Sequence, residues 1–328
     1  MKIVRRLTQL APPPDGTVVT IGNFDGVHLG HREIFRRVVG RARERQALAT
    51  VITFEPHPLR LLAPQRAPLR INTPAEKVRL IRASCIDLLV VLPFTRKLAA
   101  LSADDFVADI LVGRLGVRHL VIGYDYAFGR NREGDANFLA AAARRHGFSL
   151  DVLEPITSGT VVYSSTRIRQ TLQQGDVAGV VAVLGRHYTL DGRVVSGAGR
   201  GRQLGFPTAN LATRKELLPR DGVYAVRVRY GRRSYDAVVN IGRRPTFAGG
   251  EATIEIHLLD FSGDLYGAHL RLYFVERLRD EQRFPSAAAL QVAVRADIDR
   301  ALAILADARV LVYRETFACG GAGPLCGN

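Results

Sequence analysis

The chain is 328 residues long, 47% hydrophobic, and carries 46 Lys and Arg against 31 Asp and Glu, a formal net charge of +15. That length and apolar content suit a sizeable core and two domains and exclude a disordered chain; no apolar run reaches the ~18 residues that cross a bilayer, and the basic N-terminus meets Pro12, Pro13 and Pro14 before any signal-like apolar region, so a cytoplasmic protein is expected. Only 4 of the 46 basic residues are Lys, and the arginines are spread along the whole chain, so the charge reads as an Arg-biased composition serving anionic small substrates, with nucleic-acid binding as the rival.

In chain order, short apolar runs at 18–21, 48–54, 88–92, 119–122 and 150–153 alternate with helical patterns at 34–45, 75–83, 103–115 and 136–146. The alternation predicts an α/β domain with a doubly wound parallel sheet, its ligands beyond the carboxyl ends of the strands. The first run opens VVTIGNFDGVHLGH, Val18 to His31, which reads as strand, tight loop and helix N-terminus. Backbone N–H groups and a helix dipole there favour a phosphate. Gly22 and Gly26 permit close approach, and His28 and His31, three apart, share a face at the helix start. An isolated H-x-x-H is more often an incidental surface pair; a metal site would need a cysteine or an H-E-x-x-H frame nearby, and the sequence has neither.

Three further segments follow predicted strands. Phe54-Glu55-Pro56-His57-Pro58 is an extended loop fixed by its prolines. Gly123 to Asp135, GYDYAFGRNREGD, sets aromatics beside glycines and arginines, suited to a planar ring bearing a phosphate or equally to core packing. Tyr163 to Arg169, YSSTRIR, opens a helix whose hydroxyls cap it or bind phosphate. Cys85, Cys319 and Cys326 are too few and too poorly spaced for a disulfide framework or zinc.

Helices are expected at 166–173 and 177–184, and from Tyr188 the period changes to two, which places a domain boundary between 186 and 187. Tyr224, Val226 and Val228, then Ile254, Ile256 and Leu258, then Leu270, Leu272 and Phe274 alternate with polar residues, predicting a small antiparallel β-barrel. A C-terminal helix from about 286 puts Leu290, Val294, Ile298 and Leu302 on one stripe. Residues 309–328 form a Gly-rich tail of no assigned role. Gly192 to Leu211 is expected to be a flexible loop: Pro207 argues against a dinucleotide fingerprint, and no Gly-Lys-Ser/Thr is present for a Walker loop. Thr208 and Asn210 offer neutral oxygens to a Mg²⁺ held largely by water and phosphate, or simply make a turn. Glu255 is either a solvent-facing carboxylate or a base for a substrate hydroxyl.

The stretch G-x-F-D-G-x-H-x-G-H, followed by F-E-P-H-P, by the Gly123–Asp135 stretch and by S-S-T-x-x-R, resembles the N-terminal nucleotidyltransferase-like Rossmann module of the bacterial bifunctional riboflavin kinase/FAD synthetases. The later G-x-x-x-G-R-x-L-G-F-P-T-A-N, with N-I-G-x-R-P-T, I-E-I-H-L-L-D-F, D-L-Y-G and L-R-D-E-Q-R-F, resembles their riboflavin kinase module. The resemblance spans roughly residues 15 to 306 and implies FMN formation from riboflavin and ATP in residues 187–308, then adenylylation of FMN by ATP to FAD, with pyrophosphate released, in residues 1–186. In the first module it implies ATP contacts from Gly22, Asn23, Phe24, His28, His31, Ser165, Thr166 and Arg169, the two histidines acting catalytically, and FMN contacts from Asp125, Phe128, Asn131 and Asp135. In the second it implies ATP contacts from Gly197, Gly201, Arg202, Thr208 and Asn210, with the last two as Mg²⁺ ligands, Glu255 as catalytic base, and Arg279, Glu281 and Phe284 at the flavin. Tyr124 and Tyr126 stand where Phe is common, a change expected to be tolerated, and Arg243 where a smaller residue is usual. Small-molecule partners are implied, without nucleic acid or membrane; weak self-association is left open.

Overall fold

The structure, a computed structural model, describes residues 1–158, 161–197, 205–243, 252–310 and 312. The chain forms two compact units that divide between Ser164 and Ser165.

The first unit is built on six strands, β1 (Lys2–Val4), β2 (Thr17–Ile21), β3 (Leu48–Glu55), β4 (Leu88–Pro93), β5 (Val117–Gly123) and β6 (Ser149–Leu153), all parallel, in the order β1-β4-β3-β2-β5-β6. Their continuous apolar runs serve two cores at once. Val18, Val51, Leu89 and Val121 join Phe35, Val38 and Val39 of α1 (Leu29–Glu44) on one face. Val19, Ile52, Val90 and Leu120 meet Phe106, Val107, Ile110, Leu111 and Leu139 on the other. The doubly wound sheet is therefore as expected. Shorter helices α2 (Pro58–Leu62), α3 (Pro74–Arg82), α4 (Arg96–Ala99) and α5 (Ala103–Asp105) follow, then α6 (Ala136–His146), and β7 (Thr157–Ser158) pairs with β8 (Val161–Val162). Two local differences from the sequence reading are physical. β1 has only three residues, too few to show a period, and Phe106–Arg114, expected as α-helix, is π-helical.

The strand order fixes where a ligand can sit. β2 and β3 lead outward toward β4 on one side, and the chain then crosses to β5 on the other side of β2. The loops after β2 and β5 thus flank the topological switch point, where open α/β sheets form their crevice.

The second unit begins with α7 (Ser165–Gln174) and α8 (Val180–Leu184), which stay with the barrel: Arg220 N–H donates to the Leu172 carbonyl at 2.9 Å. Strands β9 (Thr189–Val195), β10 (Ala209–Thr213), β11 (Gly222–Tyr230), β12 (Arg233–Arg243), β13 (Ala252–Leu258) and β14 (His269–Arg279) close an antiparallel barrel in the order β10-β13-β12-β11-β14-β9. The expectation of one loop across 192–211 is corrected at both ends. Gly192 to Val195 completes β9 and Ala209 starts β10, with Gly192 needed because a Cβ there would strike the Ala212 carbonyl and the Leu211 side chain. Gly201 and Arg202 lie outside the described residues.

The final helix, α9 (Ala287–Asp307), packs Ala301 and Leu305 on Val223, Ala225, Val238, Val275 and Leu278. The expected stripe was rotated: Leu302 is 41% exposed, and the buried line is Asp297, Ala301 and Leu305. The cause is polar. Asp297 turns inward to receive Arg279, and Arg227 donates to the Leu305 and Ala308 carbonyls at the other end.

Candidate active sites

At the switch point the chain leaves β2 through Gly22–His28 and enters α1. Three residues here take positive φ: Phe24 (46°), Gly26 (91°) and Val27 (41°). The non-glycine pair is held by burial, since Phe24 and Val27 are 3% and 0% exposed. The Phe24 ring lies over Gly22, where a Cβ would come within 3.0 Å of it, and meets the His31 ring in a T-shaped contact with centroids 5.2 Å apart. His28 is the N-cap of α1. Its Nδ1 accepts from the His31 backbone N–H at 3.3 Å, so the neutral ring carries its proton on Nε2. The two imidazoles stack at 3.6 Å, and a side chain at position 30 would press on His28. Of the glycines in G-x-H-x-G-H, Gly30 is thus a spatial requirement of the histidine pair and Gly26 answers to its positive φ.

Beneath this loop lies a buried polar network that the sequence reading missed. The Asp25 carboxylate, 5% exposed, accepts from the Ile71 and Asn72 backbone N–H groups at 3.1 to 3.2 Å. The Lys77 ammonium on α3 reaches Thr53 Oγ1 at 3.5 Å, and that hydroxyl donates to the Asn23 carbonyl at 3.2 Å. Burial pushes Lys77 below the usual lysine range, with Asp25 and Glu55 opposing. Asp25 was visible as part of the motif; Lys77 carried no local signal. Asn23 itself is exposed, and the His57 of F-E-P-H-P caps α2, accepting from the Leu59 N–H at 3.2 Å.

After β5, the expected FMN stretch folds into a compact loop closed by reciprocal backbone bonds between Phe128 and Gly134, both 3.0 Å. Its four singled-out residues divide by environment. Phe128 is core, packed among Phe106, Tyr126 and Phe138, and Asp135 caps α6 by accepting from Phe138 N–H at 2.8 Å. Asp125 and Asn131 are exposed. The Tyr126 hydroxyl is fully buried and has no hydrogen-bond partner among the described residues, which pushes the phenol far above its ordinary value. Ser165, Thr166 and Arg169 occupy the opening turns of α7 in the second unit.

In the barrel, Ala209 and Leu211 of β10 and Ile254, Ile256 and Leu258 of β13 face inward, leaving Asn210, Glu255 and His257 on the outer face. β10 and β13 share two register pairs, Ala209 with Ile256 and Asn210 with Glu255; Glu255 also pairs with Asn240 of β12. One row of polar side chains, Asn210, Glu255 and Asn240, thus crosses three strands; Asn240, which opens the N-I-G-x-R-P-T motif, had no site role from sequence, and register is what sets it beside Glu255. A cavity of about 620 Å³ opens beside the row, lined by Val194, Val195, Gly197, Pro207 to Asn210, Ile256, Leu258, Phe261 and Gly263 to Tyr266. Thr208 and Asn210 reach it, as does Gly197, where any side chain would collide with the Asn210 amide. Among the expected flavin residues, Arg279 spends its guanidinium on Asp297, at 2.8 to 3.0 Å, and lies 5.4 Å from the Phe284 ring, while the Glu281 carboxylate covers Gly242.

Each unit matches one family model: FAD synthetase over residues 11–167 and riboflavin kinase over residues 184–305. The chain is 40% identical over 299 residues to the bifunctional riboflavin kinase/FMN adenylyltransferase of Escherichia coli K12, covering 90% of this chain and 96% of that one. The chain belongs to the bifunctional riboflavin kinase/FMN adenylyltransferase family. The Pseudomonas fluorescens member is 42% identical over 307 residues, 93% of this chain and 98% of its own. A crystal structure described as a macrolide-efflux protein from Streptococcus pneumoniae superposes with a TM-score of 0.82 at 32% identity, covering 91% of this chain and 97% of that one. Among the described residues, no helix is long and apolar enough to cross a membrane.

Proposed function

We propose that this family member makes FAD in two steps, each run by one module, with residues 1–186 as the adenylyltransferase domain and 187–308 as the kinase domain. The carrying observation is that the FAD synthetase and riboflavin kinase models fall side by side on a chain whose two units each present a built site.

In the kinase step, Glu255 accepts the proton of the riboflavin 5′-hydroxyl as that oxygen attacks the γ-phosphorus of ATP, yielding FMN and ADP. The cavity bearing Thr208 and Asn210 takes the nucleotide, a reading supported by the register pairing of Asn210, which lines that cavity, with Glu255. Those two neutral side-chain oxygens, both at the cavity, suit a Mg²⁺ held largely by water and phosphate. Thr208 and Asn210 would hold that ion, which when bound offsets charge on the transferred phosphoryl group. Gly197, Gly201 and Arg202 are assigned to the same nucleotide, and Arg279, Glu281 and Phe284 to the flavin.

In the adenylyl step the FMN phosphate attacks the α-phosphorus of a second ATP, and pyrophosphate leaves. A phosphate is already an anionic nucleophile, so the protein supplies position and charge stabilisation rather than a base. The α1 N-terminus, Gly22, Asn23, Phe24, His28 and His31 perform this on the ATP phosphates; in the neutral His28 ring the proton is on Nε2, because Nδ1 accepts from the His31 N–H at the helix cap. Ser165, Thr166 and Arg169 are assigned to ATP, and Asp125 and Asn131 to FMN, with Phe128 and Asp135 shaping their loop.

The test is separation of flavins after mixing the protein with riboflavin, excess ATP and Mg²⁺. Transient FMN followed by FAD is expected. FMN that accumulates without FAD overturns the N-terminal assignment, and untouched riboflavin with conversion of added FMN overturns the kinase assignment.

A further inference from the structure

The outer face of the barrel beside the cavity has four corners, of which three already carry a role. Asn210 stands opposite Glu255 in the β10–β13 register. Continuing that register one residue places Thr208 opposite His257, two residues along β13 from Glu255 and on the same outward face. The fourth corner is therefore His257, and its ring is engaged. Nδ1 lies 2.8 Å from the Pro207 carbonyl oxygen, and since a carbonyl only accepts, Nδ1 carries the proton and donates. The Phe206 ring meets the imidazole edge to face at 5.8 Å, with planes at 90°. His257 thus grips the two residues immediately before Thr208.

That grip matters because β10 is weakly anchored on this side. Its ladder to β13 begins only at Ala209, so among the described residues Pro207 and Thr208 have no strand pairing to hold them. Pro207 also lacks an N–H, leaving its carbonyl as its one backbone handle. We propose that His257 is a positioning residue for phosphoryl transfer: its Nδ1–H fixes the Pro207 carbonyl and so aims Thr208 and Asn210 at the nucleotide phosphates and their Mg²⁺. It touches neither reacting atom, and it works through the loop it holds. The inference rests on the reading of Thr208 and Asn210 given above.

The test compares three variants in the full chain. In His257→Asn the amide nitrogen falls near the Nδ1 position; in His257→Gln a polar side chain is kept but the donor is displaced; in His257→Leu it is removed. Two quantities are read, hydrogen–deuterium exchange of the 206–211 segment without ligands, and the Mg²⁺ concentration that half-saturates the kinase reaction. Loss of one positioning hydrogen bond corresponds to about tenfold in each for Leu and Gln, with Asn within about twofold of the parent. Conversion of added FMN to FAD stays unchanged in all three. Parent-like values of either quantity in the Leu and Gln variants overturn the proposal, as does an Asn variant as impaired as Leu. If Leu does not fold, Gln against Asn decides by the same criteria. Asn210→Ala separates the two levels: if it leaves the Mg²⁺ dependence unmoved, the reading of the site fails, whereas if it moves it and the His257 variants do not, only the role of His257 fails.

Discussion

The two sites are held in place by opposite means. In the first unit the loop proposed to meet the ATP phosphates rests on a buried polar network, with Asp25, Thr53 and Lys77 inside the fold and backbone bonds running from them to the loop and the 71–72 segment. In the barrel the polar row Asn210, Glu255 and Asn240 sits on an outer face, aligned by strand register. A site built on buried polar groups cannot be altered without altering stability. A site laid on the outside of a closed barrel can lose its chemistry and leave the fold intact.

The largest expected effect follows from that separation. Glu255→Gln is expected to lower riboflavin phosphorylation by about 10²- to 10⁴-fold, the usual worth of a general base, with an unchanged melting temperature and unchanged FMN adenylylation; His28→Ala reverses which reaction is lost. Flavin chromatography reads both, and a Glu255→Gln protein that loses both reactions would break the contrast. Next is Asp25→Ala, which leaves two buried backbone donors without their charged acceptor and should destabilise the first unit by about 3 kcal/mol, seen as an early unfolding transition in denaturant while kinase activity persists.

The third test is pH. His119, 2% exposed, lies between Ser149 Oγ at 2.5 Å and Asp151 Oδ2 at 3.2 Å, and Arg41 donates to the same carboxylate at 3.0 Å. Burial lowers the imidazole from its ordinary 6.5, Asp151 opposing. Burial alone would raise Asp151, but the Arg41 hydrogen bond and His119 outweigh it and hold the carboxyl below its ordinary 3.8. Both groups bind protons more readily when unfolded, so both give stability that is full at neutral pH. The His119 share declines as pH drops below about 6.5 and the Asp151 share only below about 3.8. Denaturant midpoints of the first unit at pH 7.5 and 5.5 should differ in that direction, and His119→Phe should flatten the difference. The smallest effect is Tyr126→Phe, which removes a buried hydroxyl without a partner and should stabilise the first unit by about 1 kcal/mol in the same unfolding assay.

The sequence made the fold legible wherever periodicity carried it. The apolar runs that form β2 to β6, and the change of period at Tyr188, announce a parallel sheet and then a barrel because each strand is long enough to show which faces it buries. What escaped lacked such a signal. β1 is too short. The rotation of α9 depends on Asp297 seeking Arg279, two residues 18 apart that no local pattern joins. The sites divide similarly. His28, His31 and the glycines around them are legible because the turn, the cap and the histidine stack lie within ten residues, whereas Lys77, and the place of Asn240 beside Glu255, enter only through contacts between distant elements. At Tyr126 the sequence shows the ring but not the burial of its hydroxyl, which only packing reveals.

The barrel is stitched unevenly. β11 and β12 share nine register pairs, β10 and β13 only two, and those two include Asn210 with Glu255. A cylinder of strands parts first where the fewest ladder bonds close it. The seam beside the proposed kinase site is therefore where local opening of the barrel is expected first, one strand away from the β12 wall that α9 braces.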